Sequence, residues 1–169
     1  DAPPMPGSVP VAPTTLADGS WSVGGPFSAE NSSAGPIDRD RLPVRSLRGT
    51  LAWAAQTLRL DGERAEGGRG SANGALIWSK AGGVQAAARF SGVDASTLHS
   101  QMVATNASGQ IDYSLIDGEQ RFVGSARNTG ALPLSAEIDA SVRAQVLDLA
   151  RARLSLGEGR ADLRGRFEL

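Results

Sequence analysis

The stretch Leu134–Val146 reads L-S-A-E-I-D-A-S-V-R-A-Q-V, and its alternation decides the fold. Leu134, Ala136, Ile138, Ala140, Val142, Ala144 and Val146 are apolar, and the residues between them, Ser135 to Gln145, are polar or charged. Successive side chains on a strand point to opposite faces, so the pattern predicts one long strand with an apolar face and a wet face. A helix would scatter the same apolar residues around its circumference. Everything else depends on what covers the apolar face.

The same period continues on both sides. Upstream, Leu47, Gly49, Leu51, Trp53 and Ala55 share one face, followed by Leu58, Leu60 and Gly62 with Arg59, Asp61 and Glu63 opposite. Ala72, Gly74, Leu76 and Trp78 come next, then Val84, Ala86, Ala88 and Phe90, then Gly109, Ile111, Tyr113 and Leu115, then Phe122, Gly124 and Ala126. Past Val146 the phase slips, which predicts a bulge or bend there. The alternation then resumes with Ala152, Leu154 and Leu156, and with Ala161, Leu163, Gly165, Phe167 and Leu169. Turn residues separate these runs: Ala81-Gly82-Gly83, Asp117-Gly118, Asn128 to Gly130 and Gly157-Glu158-Gly159. The one interruption is Ser91 to Ala104, where Asp94 ahead of Ala95-Ser96-Thr97-Leu98 predicts a capped helical turn near 94–99. The fold class is therefore all-β, with about ten strands from Trp21 to Leu169. Short turns make neighbours antiparallel, and at about 4.8 Å per strand the sheet is roughly 50 Å long.

Residues 1–20 form a separate region. Pro3, Pro4, Pro6, Pro10 and Pro13 remove ladder donors and predict a linker or an extended arm hugging a sheet edge. The opening D-A-P-P-M-P-G has no Met start or signal-peptide character, which reads as a cut inside a longer parent chain.

Composition narrows the function. Hydrophobic residues make up 40% and charged residues 21%, which is globular rather than disordered. A net charge of -1 does not recommend nucleic acid as a partner. The absence of cysteine excludes disulfides, thiolate metal sites and a Cys nucleophile. His99 is the sole histidine, so a metal site is not expected and a surface turn position is. No Gly-x-Ser-x-Gly elbow supports a hydrolase, and the run Gly67 to Gly74 lacks the Lys-Ser/Thr of a phosphate loop. The carboxylates Asp112, Asp117, Glu137 and Asp139 fall on solvent faces of strands, with no sign of a shared cleft. The chain reads as a non-enzyme that needs no cofactor.

Three stretches resemble the TamB family, the translocation and assembly module proteins of Gram-negative bacteria. They are A-G-P-I-D-R-D-R-L-P-V-R-S-L-R-G-T-L (Ala34–Leu51), L-R-L-D-G-E-R-A-E-G-G-R-G-S-A-N-G (Leu58–Gly74) and R-F-S-G-V-D-A-S-T-L-H-S-Q-M (Arg89–Met102). The resemblance implies an internal segment of a long periplasmic chain, anchored in the inner membrane by a helix outside this sequence. It implies the fold shared with AsmA-like proteins: a long sheet curled into a gutter, or β-taco, over residues 21–169. It also implies phospholipid acyl chains as cargo, the outer-membrane protein TamA and client β-strands as partners of the parent chain, and a role in outer-membrane biogenesis or autotransporter assembly.

An apolar strand face is usually packed core, and a sandwich would need a second apolar layer at native density. Inward Gly49, Gly62, Gly74, Ala86, Ala88, Gly109, Gly124 and Gly165 instead remove volume where a core needs it, which favours a groove. The expected lining is Leu47, Leu51, Trp53, Leu58, Leu60, Leu76, Trp78, Val84, Phe90, Ile111, Tyr113, Leu115, Phe122, Ile138, Val142, Leu154, Leu156, Leu163 and Phe167, with Trp21 at the same parity. Two other readings are an interaction module that adds client strands to an open edge and a closed β-sandwich that stacks sugars on exposed Trp.

Overall fold

The computed structural model describes residues 12–15, 21–130 and 133–169. Its strands are β1 (Ala12–Thr15), β2 (Trp21–Glu30), β3 (Ser46–Ala54), β4 (Thr57–Gly67), β5 (Gly70–Ser79) and β6 (Gly83–Val93). They continue with β7 (Ala107–Ile116), β8 (Glu119–Asn128), β9 (Leu134–Arg143), β10 (Val146–Leu156) and β11 (Gly159–Glu168). All belong to one open, curled sheet whose spatial order is the order of sequence, each strand antiparallel to its neighbours. The ten-strand meander from Trp21 onward is present as read. Helical structure among the described residues is confined to a 3-10 turn at Ile37–Arg39 and to α1 (Ala95–Leu98). No helix among them is long and apolar enough to cross a membrane.

The closed sandwich is not the architecture. Among the described residues no second sheet faces the first, and Ala140, 5% exposed, is the sole hydrophobic side chain with core-like burial. The proline-rich arm lies mostly outside the described residues. Its Ala12–Thr15 pairs with residues 21–24 of β2. Pro26 lies within β2 beyond the reach of β1 and pairs with Thr50 of β3.

The opening stretch is not one strand. It is β9, a two-residue turn and the first residue of β10: Ala144 and Gln145 have φ of 46° and 65°, and Val146 pairs back on Arg143. The apolar-polar alternation runs through this turn by coincidence, and the pairing puts Val146 on the polar face. The phase slip is thus the hairpin itself. A bulge follows further on, between Leu149 and Arg151. Ala55 is corrected in the same way, since Ala55 and Gln56 form the β3–β4 turn at φ of 47° and 62°.

Both Ala-Gln turns have the two positive φ values of a type I′ hairpin, a conformation that suits Asn-Gly and strains residues with a Cβ. Replacing Ala55-Gln56 by Asn-Gly (Ala55→Asn with Gln56→Gly) is expected to stabilise the sheet by about 1–2 kcal/mol. A rise in the urea midpoint at constant slope is the check, and no rise would mean the turn carries no strain.

Further bulges between Gly62 and Ala65 and between Phe90 and Val93 each add local twist. At the end of the sheet opposite the Ala-Gln turns, two long loops are fastened together. The Ser100 amide donates to Asp38 Oδ1 at 2.9 Å, and the Ser100 hydroxyl donates to the same carboxylate. Asp94 caps α1 as expected, accepting from the Ser96 amide at 3.0 Å, and it also accepts from the Thr105 amide at 3.0 Å.

Candidate functional site: an uncovered apolar face

Directly paired residues in an antiparallel ladder share a face, so the register traces each face across the sheet. One row runs Trp53, Leu58, Trp78, Val84, Leu115, Gln120, Val142, Leu147, Phe167. The next runs Leu51, Leu60, Leu76, Ala86, Tyr113, Phe122, Ala140, Leu149, Gly165. A third runs Gly49, Gly62, Gly74, Ala88, Ile111, Gly124, Ile138, Ala152, Leu163. A fourth runs Leu47, Ala65, Ala72, Phe90, Gly109, Ala126, Ala136, Leu154, Ala161, and Leu134 and Leu156 pair beyond it. Every expected lining residue from Leu47 to Phe167 falls on this one face. Gln120 is the single polar side chain within the four rows. The side chain of Trp21 lies outside those described.

The face is uncovered. Trp78, Ile111, Phe122, Ile138, Leu154, Leu156, Leu163 and Phe167 are all exposed, Ile138 at 46% and Leu163 at 60%. A soluble protein rarely leaves a continuous apolar surface of this extent without something to bind. Trp53 and Trp78 stand on strands two apart, yet their rings stack with centroids 5.7 Å apart, leaning together over Leu58. Tyr113 and Phe122 pack at 4.8 Å.

The glycines do not all open space. A Cβ at Gly49 would meet the Asp61 carbonyl at 2.2 Å and the Phe27 ring at 3.0 Å; one at Gly109 would meet the Ser125 carbonyl at 2.1 Å and the Phe90 ring at 2.8 Å. Phe27 and Phe90 therefore fold over the glycines they pair with and fill those notches. Gly62 differs, since a Cβ there meets nothing closer than 3.4 Å, and its notch is open.

The opposite face is wet. Arg59 pairs with Asp61 at 2.7 Å, Arg64 with Glu66 at 2.6 Å, Arg121 with Asp139 at 3.2 Å and Arg153 with Asp162 at 2.9 Å. A shallow hollow of about 460 Å³ lies on this side over Ala75, Ile77, Ala87 and Val123, with Asp112 and Arg121 in its lining. Its lining also includes Gln85, Ser114 and Ile116, and it reaches Ala86 and Tyr113 of the second apolar row.

Sequence reading missed Leu147 and Leu149, which the register turns inward. Recognising the Ala144-Gln145 turn would have found them. His99 follows α1, half exposed, with Nδ1 accepting from the Gln101 amide at 3.3 Å and standing 4.0 Å from Asp38. Among the described residues no group of three His, Cys, Asp or Glu could hold a metal.

Bonds from the Ser96 hydroxyl and the Thr105 amide hold the Asp94 carboxyl below its ordinary range, and bonds from Ser100 do the same for Asp38. A carboxylate with a lowered folded pKa stabilises the fold above its unfolded value, near 4, and this contribution is lost as pH falls through the folded pKa. Acid should therefore release the two loops before the ladder, with the Ser100 and Thr105 amides losing exchange protection below about pH 4. Asp94→Ala should cost about 1 kcal/mol and remove the acid step at Thr105. Simultaneous loss of all amides would count against this.

Comparison of the chain with models of known protein families, with curated proteins and with solved structures finds no match.

Proposed function

We propose that this chain is a non-enzymatic segment of a conduit that carries phospholipid acyl chains along the apolar face. Its place would be the periplasm of a Gram-negative bacterium, within a longer chain anchored in the inner membrane, as the TamB-like stretches imply. The supporting observation is one apolar face, continuous across ten strands and open to solvent, with charges and ion pairs confined to the other side. Burial there would favour an acyl chain by about 0.8 kcal/mol per methylene, while head groups remain at the open margin. Phospholipid delivery toward the outer membrane, or assistance to outer-membrane β-proteins through TamA, would use the same surface.

Protein purified from a bacterial periplasm should show bound phospholipid by native mass spectrometry and by lipid extraction. Lipid-free protein, with Trp53 and Trp78 fully protected from a soluble quencher, would overturn the reading.

A further inference from the structure

A second group of exposed apolar side chains sits on the two long loops at the end of the sheet opposite the Ala-Gln turns. Ile37 is 60% exposed, Leu42 71%, Met102 53% and Val103 75%. The loops that carry them are tied down. Asn31 Nδ2 donates to the Leu42 and Val44 carbonyls at 3.2 and 3.1 Å, and the Gly35 amide donates to the Leu42 carbonyl at 3.1 Å. Asp38, next to Ile37, accepts from Ser100, two residues ahead of Met102. The β4–β5 turn fits between the loops, where a Cβ at Gly67 would strike the Pro43 carbonyl and one at Gly68 the Thr97 side chain. Loops fixed in this way hold their apolar residues in water at a cost in free energy, which burial against another surface would recover.

The charges at this end select the kind of surface. Between Asn31 and Arg45, at Gly68-Arg69 and between Asp94 and Asn106, the acids are Asp38, Asp40 and Asp94. Ser100 holds Asp38, and Asp94 is buried beneath its bonds to Ser96 and Thr105, which leaves Asp40. The arginines are Arg39, Arg41, Arg45 and Arg69. Among the described residues none of these arginines forms an ion pair, and Arg69 acts on Asp94 only at a distance. Arg45 and Arg69 also line, with Arg64, Glu66 and Ser71, a polar hollow of about 280 Å³ that has room for a phosphate group. Apolar side chains projecting among unpaired arginines match a surface that is negative outside and greasy beneath. We propose that this end of the sheet docks on the surface of an anionic phospholipid bilayer. Ile37, Leu42, Met102 and Val103 enter the head-group layer, and the arginines meet lipid phosphates. The proposal does not rest on lipid carried along the sheet, since none of these residues belongs to the four rows of the apolar face.

Vesicles made of about one-third phosphatidylglycerol, the rest phosphatidylcholine, should carry the protein down on sedimentation, and vesicles of phosphatidylcholine alone should bind it about tenfold less. Leu42→Asp and Val103→Asp should each weaken binding about tenfold, and Arg45→Gln and Arg69→Gln about fivefold each. All four positions are exposed, so circular dichroism should be unchanged and lipid bound along the apolar face should remain. Ile138→Asp should still sediment with the anionic vesicles. The chain lacks cysteine, so Val103→Cys carries a single polarity-sensitive dye, whose emission should shift to the blue when these vesicles are added. The same dye at Ser141→Cys on the wet face should not respond. Protein left in solution by the anionic vesicles would overturn the proposal. So would binding lost in Ile138→Asp and kept in Leu42→Asp, which would place the contact on the apolar face. Binding that inorganic phosphate abolishes and Val103→Asp leaves intact would overturn it too, the hollow then being a phosphate site alone.

Discussion

Ile138→Asp is expected to leave the sheet folded and to reduce its bound lipid at least tenfold. Ile138 is 46% exposed, between Gly124 and Ala152 in the neighbouring strands, so a carboxylate there keeps most of its water. The cost to folding should be about 1 kcal/mol, against several for a charge in a packed core. An acyl chain lying over the same position would have to strip that water, and each 1.4 kcal/mol of penalty is a factor of ten in occupancy. Val142→Asp, half-buried between Gln120 and Leu147, should act alike with a larger cost to folding. Ser141→Asp, one residue away on the wet face beside Arg121, should leave lipid unchanged. Native mass spectrometry reads the lipid and circular dichroism the sheet. A folded Ile138→Asp protein that retains its lipid would sink the conduit reading.

Gly109→Ala is expected to destabilise the protein by about 2–4 kcal/mol, whereas Gly62→Ala should be neutral or stabilising by up to about 1 kcal/mol. The two glycines share a face, a residue type and a mid-sheet setting. A methyl group at Gly109 would fall 2.1 Å from the Ser125 carbonyl and 2.8 Å from the Phe90 ring, and backbone cannot yield by that much. At Gly62 the nearest atom is a carbonyl 3.4 Å away, an ordinary contact. Urea unfolding of the two variants separates these cases. Equal effects would mean that the close approach at Gly109 is not what holds the curl.

The two glycines also show where the sequence stops being informative. Both occupy inward positions by parity, and parity alone makes both of them notches. Which notch a ring fills depends on the residue directly opposite, and that is a property of register. Phe90 reaches Gly109 across the β6–β7 ladder, which brings together positions nineteen apart in the chain only after the bulge beyond Phe90 has set the phase. Leu147 and Leu149 illustrate the same limit, because their facing depends on a turn whose Ala-Gln sequence carries no turn signal.

What the sequence determined by itself was the strand character, the meander and the face on which each lining residue sits. All three follow from a period of two and from local turns, and each is settled within a few residues of chain. The tertiary structure alone decided that the opening stretch folds back at Ala144 and that the sheet stays single. These outcomes depend on which strands meet. A strand's alternation shows that one face must be buried or bound, but whether another layer covers that face is settled only when the whole sheet has formed.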